Sequence, residues 1–369
     1  MSTHVTSSLD SHDSHDSHAL QSRSAVRSLV LPVVRQRVSA LEPNLARVCC
    51  YHLGFMDEHG DPSGGGDGGL TRAGLMMAAA DGVGLRPEDV RSQAAAVELL
   101  HHATLLHDDI VDAAEVRRGR PAAWKVFGAG LAIPAGNALQ ALGLQLVVDD
   151  PGPGSREIAG SFTGAIGLVH AGRARGLTLR PGPGAGVAAY EHIVTEKVSA
   201  LLECSLGTPA VRAGAPERVL SALHAAGRHL GIAWQISHDV ADIWGGPAGT
   251  GKPVREDIGR RNLTLPVLIA LSAGSPAGER LSRLWHADSG TAAHLQVLAD
   301  LIDEAGGRHS AEQLSRRHLD SAVEHLGRAR LSRSGTTELT ALFHRIVRSA
   351  GRPRPASAVR AASPVRSTR

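Results

Sequence analysis

Alanine and leucine carry most of the apolar positions, valine and isoleucine are interspersed without sustained alternation, and few stretches show the two-residue period of a strand. An all-α fold follows from that pattern. The amphipathic run from Ala25 to His52 predicts one or two helices broken at Pro32 and Pro43, and the glycine-rich stretch from Asp61 to Gly69 predicts a flexible loop. Helix is expected to resume over Leu70 to Ala80, to turn through Gly82 to Pro87, and to return from Glu88 to Leu106. Lys125 to Val148 is largely apolar and reads as a buried helix. Further helices are expected over Arg156 to Leu179, Ala188 to Leu206 and Pro216 to Ile243, the first bracketed by loops at Pro151 to Ser155 and Pro181 to Gly186.

At both ends the pattern gives out. Residues 1–24, rich in Ser, His and Asp, cannot form a core and read as a disordered tail, with transition-metal binding by its histidines and a docking or recruitment tag as the other readings. Residues 351–369 hold mostly Pro, Ser, Ala and Arg with no acidic residue, and read as a basic disordered tail. Residues 25–350 remain as one folded domain, and a chain of 369 residues is long enough to bury a sizeable core.

Composition narrows the function classes. A net charge of +3, with basic residues spread along the chain and no aromatic interleaving, argues against nucleic-acid binding. Cys49 and Cys50 are adjacent and Cys204 stands alone, so neither a disulfide framework nor metal-ligand spacing is present. No apolar run is read as long enough for a membrane span and the N-terminus lacks a secretory pattern, so a soluble, cytoplasmic protein is expected. Lys125, Lys197 and Lys252 are the only lysines in an arginine-rich chain. A lysine inside a motif is therefore an exception to the chain's own bias.

Two constellations carry chemistry. In the first, the apolar run Ala95 to Leu106 delivers Asp108, Asp109 and Asp112, with Asp108 and Asp112 four apart on one helical face. Three like charges on one turn repel, and an all-oxygen cluster suits a hard cation such as Mg²⁺. Arg117 and Arg118 follow with planar forks suited to phosphate oxygens. Metal and arginines together imply a polyanionic ligand, a diphosphate; a solvated acidic helix paired with those arginines is the competing reading. In the second constellation, Asp239 and Asp242 are three apart and His238 and Asp242 four apart, so a second acidic face exists. Lys252 lies just beyond, in a Gly-Thr-Gly-Lys loop that lacks the full phosphate-loop pattern.

Taken together these stretches resemble the polyprenyl synthetase family, the trans-isoprenyl diphosphate synthases. The resemblance covers residues 30–345 and rests on Glu98-Leu-Leu-His101, Leu106-His-Asp-Asp-Ile-Val-Asp112, Arg117-Arg-Gly-Arg-Pro121, Lys197, Gln235-Ile, Asp239-x-x-Asp242, Thr250-Gly-Lys-Pro253 and Leu265-Pro266. It implies an all-α isoprenoid-synthase bundle around a deep central cavity, assembled as a homodimer. It also implies Mg²⁺ held by Asp108, Asp109, Asp112, Asp239 and Asp242, gripping an allylic prenyl diphosphate that Arg117, Lys197, Gln235 and Lys252 contact. Arg117, Lys197 and Gln235 would act on the departing diphosphate, while Arg72, His101 and Arg118 would hold isopentenyl diphosphate as acceptor.

Several positions depart from the family pattern. The family's Gly-Lys-Arg-x-Arg segment is here Gly68-Gly69-Leu70-Thr71-Arg72, so the lysine and first arginine are absent and Arg72 falls one residue short of the second. With each charge-assisted contact worth about 1.5–3 kcal/mol, two losses would weaken the acceptor diphosphate roughly 10²- to 10⁴-fold. His238 replaces the first aspartate of the second motif, Val198 a threonine, Asn262-Leu263 a lysine-bearing segment, and Asn137 an aspartate. Three readings follow: a prenyl diphosphate synthase condensing an allylic diphosphate with isopentenyl diphosphate, a class I terpene synthase needing no second diphosphate, or a weakly active regulatory subunit. Ala103 and Thr104, one turn before the first aspartate, are small and predict a substrate or product of C20 or longer.

Overall fold

The computed structural model describes residues 10–63, 69–182, 185–245, 255–287 and 291–349, with side chains from Ser24 onward. The basic tail expected from Gly351, most of the glycine-rich loop and the Lys252 loop lie outside the described residues.

Helix α1 runs unbroken from Asp10 to Ser39, which corrects two expectations. Pro32 lies inside it without ending it, because Val26, Val30, Val34 and Val38 form one buried stripe across the proline, and packing of that stripe outweighs one lost backbone bond. Helix also covers residues 10–24 of the segment read as a disordered tail. No glycine or proline interrupts residues 10–24, and adding a turn to an existing helix costs far less than nucleating one. Pro43 does separate the helices, opening α2 (Pro43–Leu53), where the Glu42 carboxylate accepts the backbone N–H groups of Asn44 and Leu45 at 3.0 and 3.1 Å.

After α3 (Thr71–Gly82), a single 3₁₀ turn (Pro87–Val90) leads into α4 (Arg91–Val111). Nearly every side chain of α4 from Gln93 to Leu106 is buried, the mark of a helix surrounded by others. A two-residue hairpin follows, β1 (Val116–Arg117) pairing antiparallel with β2 (Arg120–Pro121). Arg118 and Gly119 turn it at φ 54° and 74°, the left-handed pair that closes tight hairpins.

The apolar stretch expected as one buried helix is two, α5 (Ala123–Phe127) and α6 (Ala129–Val148), parted at Gly128 with φ 80°. Contrary to the expectation of burial, α6 is covered on one side only. Ala132, Ala135, Gly136 and Leu139 face the bundle, while Leu131 and Ile133 remain exposed. By length and composition it is also the one helix among the described residues able to cross a membrane, which corrects the reading that no apolar run was long enough. Here it packs along α4 and α2.

Next come α7 (Ser155–Thr178), α8 (Val187–Val194), a single π turn (Thr195–Ser199), α9 (Ala200–Arg212) and α10 (Glu217–Trp244). Short helices α11 (Glu256–Gly259), α12 (Leu265–Leu271), α13 (Pro276–Trp285) and α14 (Ala292–Glu304) gather around the buried Trp285. The chain returns through α15 (Gly307–Ala329), which lies along α10, and α16 (Arg333–Ser349), which joins α3, α9 and α10 in a second core. The first core surrounds α4. Two long helices, α4 and α10, thus each anchor a core and each carry one acidic motif near the C-terminal end.

Glycines set the closest crossings. A Cβ on Gly172 of α7 would lie 2.7 Å from the backbone nitrogen of Lys197, and one on Gly231 of α10 would lie 2.8 Å from Ser199 Cα, so the π turn is held between two glycines. Gly227 of α10 is equally close to α9: a Cβ there would meet Glu203 N at 2.9 Å and Glu203 Cα at 3.0 Å. Because those neighbours are backbone atoms that cannot swing aside, Gly227→Ala is expected to lower unfolding stability by about 1–3 kcal/mol. Urea denaturation checks this; an unchanged midpoint would show that the helices separate freely.

Candidate active site

The first acidic turn closes α4, with Asp112 at its C-cap. The end of a helix carries the negative pole of the macrodipole, so carboxylates placed there need cations nearby. The chain supplies some. Asp109 is buried, and Arg117 grips both its oxygens, donating from Nε at 2.8 and 3.0 Å and from Nη2 at 2.5 Å. Asp108 pairs with the Arg173 guanidinium, whose Nη2 also donates to the Thr104 carbonyl at 3.1 Å. Burial raises the Asp108 carboxyl above its usual range, against the opposing pull of Lys197, Arg173 and Arg117. The three aspartates are therefore not equivalent: Asp109 holds Arg117, and Asp108 and Asp112 are the less deeply buried pair of the turn.

On α10, Asp239 is buried and accepts from three donors: Tyr190 Oη at 2.6 Å, Gln235 Nε2 at 2.7 Å and the Leu265 backbone N–H at 3.3 Å. Burial and the neighbouring charge of Asp257 push its carboxyl up to about 7 despite those bonds. Asp242 is raised by the same two causes, and its Oδ2 accepts the Asp257 N–H at 3.0 Å. His238 turns back on its own helix, with Nδ1 2.9 Å from the Trp234 carbonyl. One segment connects the two acidic faces, for Tyr190 on α8 bonds Asp239 while Lys197, seven residues on, acts on Asp108. Residues seven apart share a helical face, and the chain between them passes through the π turn at Thr195–Ser199.

A separate cationic cluster lies further back along α4. His101 stands seven residues before Asp108, hence on the same helical stripe, about 10 Å along the axis. Arg72 is buried beside Glu98, against the Trp234 ring at 5.3 Å, and burial brings its guanidinium down to about 10. His101 is held well below the usual imidazole range by burial and by Arg72 and Arg118. His52 and His102 pack edge to face at 5.2 Å, both pushed well down by burial and then by Arg118, and His52 Nε2 and His102 Nδ1 are buried without a hydrogen-bond partner. Arg72 and Arg118 both act electrostatically on His101, and His52 and His102, two histidines that the sequence did not single out, pack beside it.

The family model for polyprenyl synthetases matches residues 65–302. The chain belongs to the polyprenyl synthetase family. A (2E,6E)-farnesyl diphosphate synthase of Mycobacterium tuberculosis is 35% identical over 324 residues, covering 86% of this chain and 90% of that protein. A geranylgeranyl diphosphate synthase of the same species is 35% identical over 295 residues, covering 79% and 84%. Among solved structures, a polyprenyl synthetase from Streptomyces coelicolor A3(2) superposes with a TM-score of 0.82 at 33% identity, covering 89% of this chain and 99% of that one.

Of the residues expected to serve a polyprenyl synthetase site, Lys252 lies outside the described residues. The structure adds Arg173, Tyr190, Asp257, His52 and His102. Asp257 follows Asp242 by 15 residues across the Lys252 loop, and Arg173 sits 65 residues after Asp108. No local spacing could have paired them. Asp108 and Asp112 on α4, and Asp239, Asp242 and Asp257 at and after the end of α10, offer only oxygen donors, the kind that Mg²⁺ takes. Among the described residues no three such groups already enclose a metal position.

The sign of the pH effect follows from Asp239. Its folded pKa lies above the ordinary carboxylate value, so the folded chain holds a proton there that the unfolded chain releases, and this stability is lost as pH rises through about 7. Above that pH the buried carboxylate is bare, and a divalent cation relieves it. Mg²⁺ is therefore expected to raise the melting temperature more at pH 8 than at pH 6. An equal or larger rise at pH 6, in thermal-shift curves with and without the ion, would contradict this.

Proposed function

We propose that the chain is a polyprenyl diphosphate synthase that joins an allylic prenyl diphosphate to isopentenyl diphosphate, giving a product of C20 or longer. The observation that carries this reading is the second cationic cluster. Arg72 and Arg118 act on His101, which lies two helical turns before the first acidic turn, with Glu98 as counter-charge, even though the family's lysine and first arginine are Leu70 and Thr71 here. A terpene synthase acting on one diphosphate has no use for such a cluster. The names of the relatives, which make farnesyl and geranylgeranyl diphosphates, support the same reaction class.

In this reading Asp108, Asp112, Asp239 and Asp242, with Asp257 beside them, hold Mg²⁺, which when bound neutralises the leaving diphosphate. Asp109 keeps Arg117 turned toward that group and Lys197 approaches it from the π turn. Gln235, fixed by its bond to Asp239, lies one turn before it on α10. Positive charge aimed at the oxygens favours heterolysis of the allylic C–O bond, because it stabilises the developing diphosphate more than the bound ester. The double bond of isopentenyl diphosphate attacks the allylic cation, a new C–C bond forms, and loss of one proton restores neutrality; inorganic diphosphate leaves. Product length rests on Ala103 and Thr104, both buried and small. Trp124 and Trp234, two aromatics of neighbouring helices, make other contacts: Trp124 Nε1 donates to the Ala114 carbonyl at 2.7 Å, and Trp234 lies against Arg72 and His238.

The apolar side of α6 left uncovered by the bundle supports assembly as a homodimer, with Leu131, Ile133 and, on α7, Leu168 between a third and a half exposed. Light scattering is expected to give twice the chain mass, and Ile133→Glu to give the monomer; a native monomer would remove the dimer from the proposal.

Incubation with Mg²⁺, geranyl, farnesyl or geranylgeranyl diphosphate, and isopentenyl diphosphate is expected to yield elongated diphosphates of C20 or longer, read by mass analysis. Hydrocarbon or alcohol formed without isopentenyl diphosphate would make the chain a terpene synthase. No turnover with any donor would favour a regulatory subunit, in which His238 in place of a carboxylate leaves the second face short of a ligand.

A further inference from the structure

We propose that Arg173 is a resident counter-cation on Asp108, which a divalent ion must displace on entering the first acidic turn, and that the released guanidinium then contacts the bound diphosphate. The proposal rests on the reading of this region as a diphosphate site.

Three cations built into the chain, Arg117, Arg173 and Lys197, act on a turn holding three carboxylates, so without any ligand the turn is already neutralised. The two arginines do this differently. Arg117 meets Asp109 with two nitrogens, and that carboxylate is 1% exposed, which makes the pair a fixed part of the core. Arg173 holds Asp108 through Nη2 alone, shares that nitrogen with the Thr104 carbonyl, and leaves its buried Nε without a hydrogen-bond partner. Asp108, at 17% exposed, stands nearer solvent than Asp109. A guanidinium with spare donors on a carboxylate open to one side is a contact that an incoming ion can replace.

The position of α7 supplies the second half. Gly172 brings this helix against the Lys197 backbone, and Arg175 bonds Glu196 at 3.0 Å, so Arg173 projects from a helix fixed to the turn that carries Lys197. Released from Asp108, the Arg173 fork has the reach and planar donor geometry for diphosphate oxygens. Metal entry and diphosphate capture are then coupled through one side chain.

Binding of Mn²⁺ to the full-length protein, read by the electron paramagnetic resonance signal of free ion with no prenyl substrate present, tests this; Mn²⁺ shares the oxygen preference of Mg²⁺. Arg173→Gln is expected to bind Mn²⁺ about tenfold more tightly than the native chain, because the competing cation is gone. Arg173→Lys keeps the charge but loses the fork, and should fall between the two. With Mn²⁺ saturating, inorganic diphosphate should bind Arg173→Gln several-fold more weakly than native. Unchanged or weaker Mn²⁺ binding in a folded Arg173→Gln would overturn the proposal and leave Arg173 as a brace between α7 and α4. Should that variant fail to fold, Arg173→Lys decides alone, and native-like Mn²⁺ affinity there overturns the proposal. If the native chain itself binds neither Mn²⁺ nor inorganic diphosphate, the diphosphate-site reading falls with it, whereas an intact native response with no change in the variants removes Arg173 only.

Discussion

Buried negative charge at the ends of two core helices is the constraint on which the rest of the structure depends. Asp108, Asp109 and Asp112 close α4, and Asp239 and Asp242 lie near the end of α10, where helix dipoles make carboxylates least welcome. Such an arrangement needs positive partners, and the fold provides them from distant parts of the chain. Arg117 comes from a hairpin whose tight turn puts Arg118 in a left-handed backbone conformation, Arg173 from α7, and Lys197 from a π turn pressed between two glycines.

The two faces meet this constraint differently. The first is balanced by arginines and lysine. The second relies on hydrogen bonds from Tyr190, Gln235 and the Leu265 N–H, and gains a third acid in Asp257, so its carboxyls stay raised. The larger unmet demand for a cation therefore lies on α10. His238, replacing a carboxylate by a ring bonded to its own helix, removes one negative charge from the face that is hardest to neutralise.

The cluster of Arg72, His101, Arg118, His52 and His102 presents the opposite problem, cationic groups drawn together with Glu98 as the acid beside Arg72. Burial keeps the histidines neutral, which limits repulsion within the cluster. Arginines and neutral histidines thus lie towards one end of the α4 stripe and carboxylates at the other.

Much of this was legible from residue order. Apolar positions carried by alanine and leucine, without the alternation of strands, pointed to an all-α chain, and the apolar approach to Asp108 marked α4 as a core helix. Asp108 with Asp112, and Asp239 with Asp242, shared faces by helical geometry, which is local and therefore readable. Pro32 and residues 10–24 were misread because a proline or a polar run speaks only for its own neighbourhood, whereas the Val26 to Val38 stripe and the helix already formed decide the outcome. The one-sided burial of α6 depended on which helices cover it. Likewise only the tertiary structure could separate Asp109, spent on Arg117, from Asp108, held by Arg173, or bring Asp257, Tyr190, His52 and His102 into place. Those pairings join residues far apart in sequence, and their energy arises from burial and approach that exist only once the helices have packed.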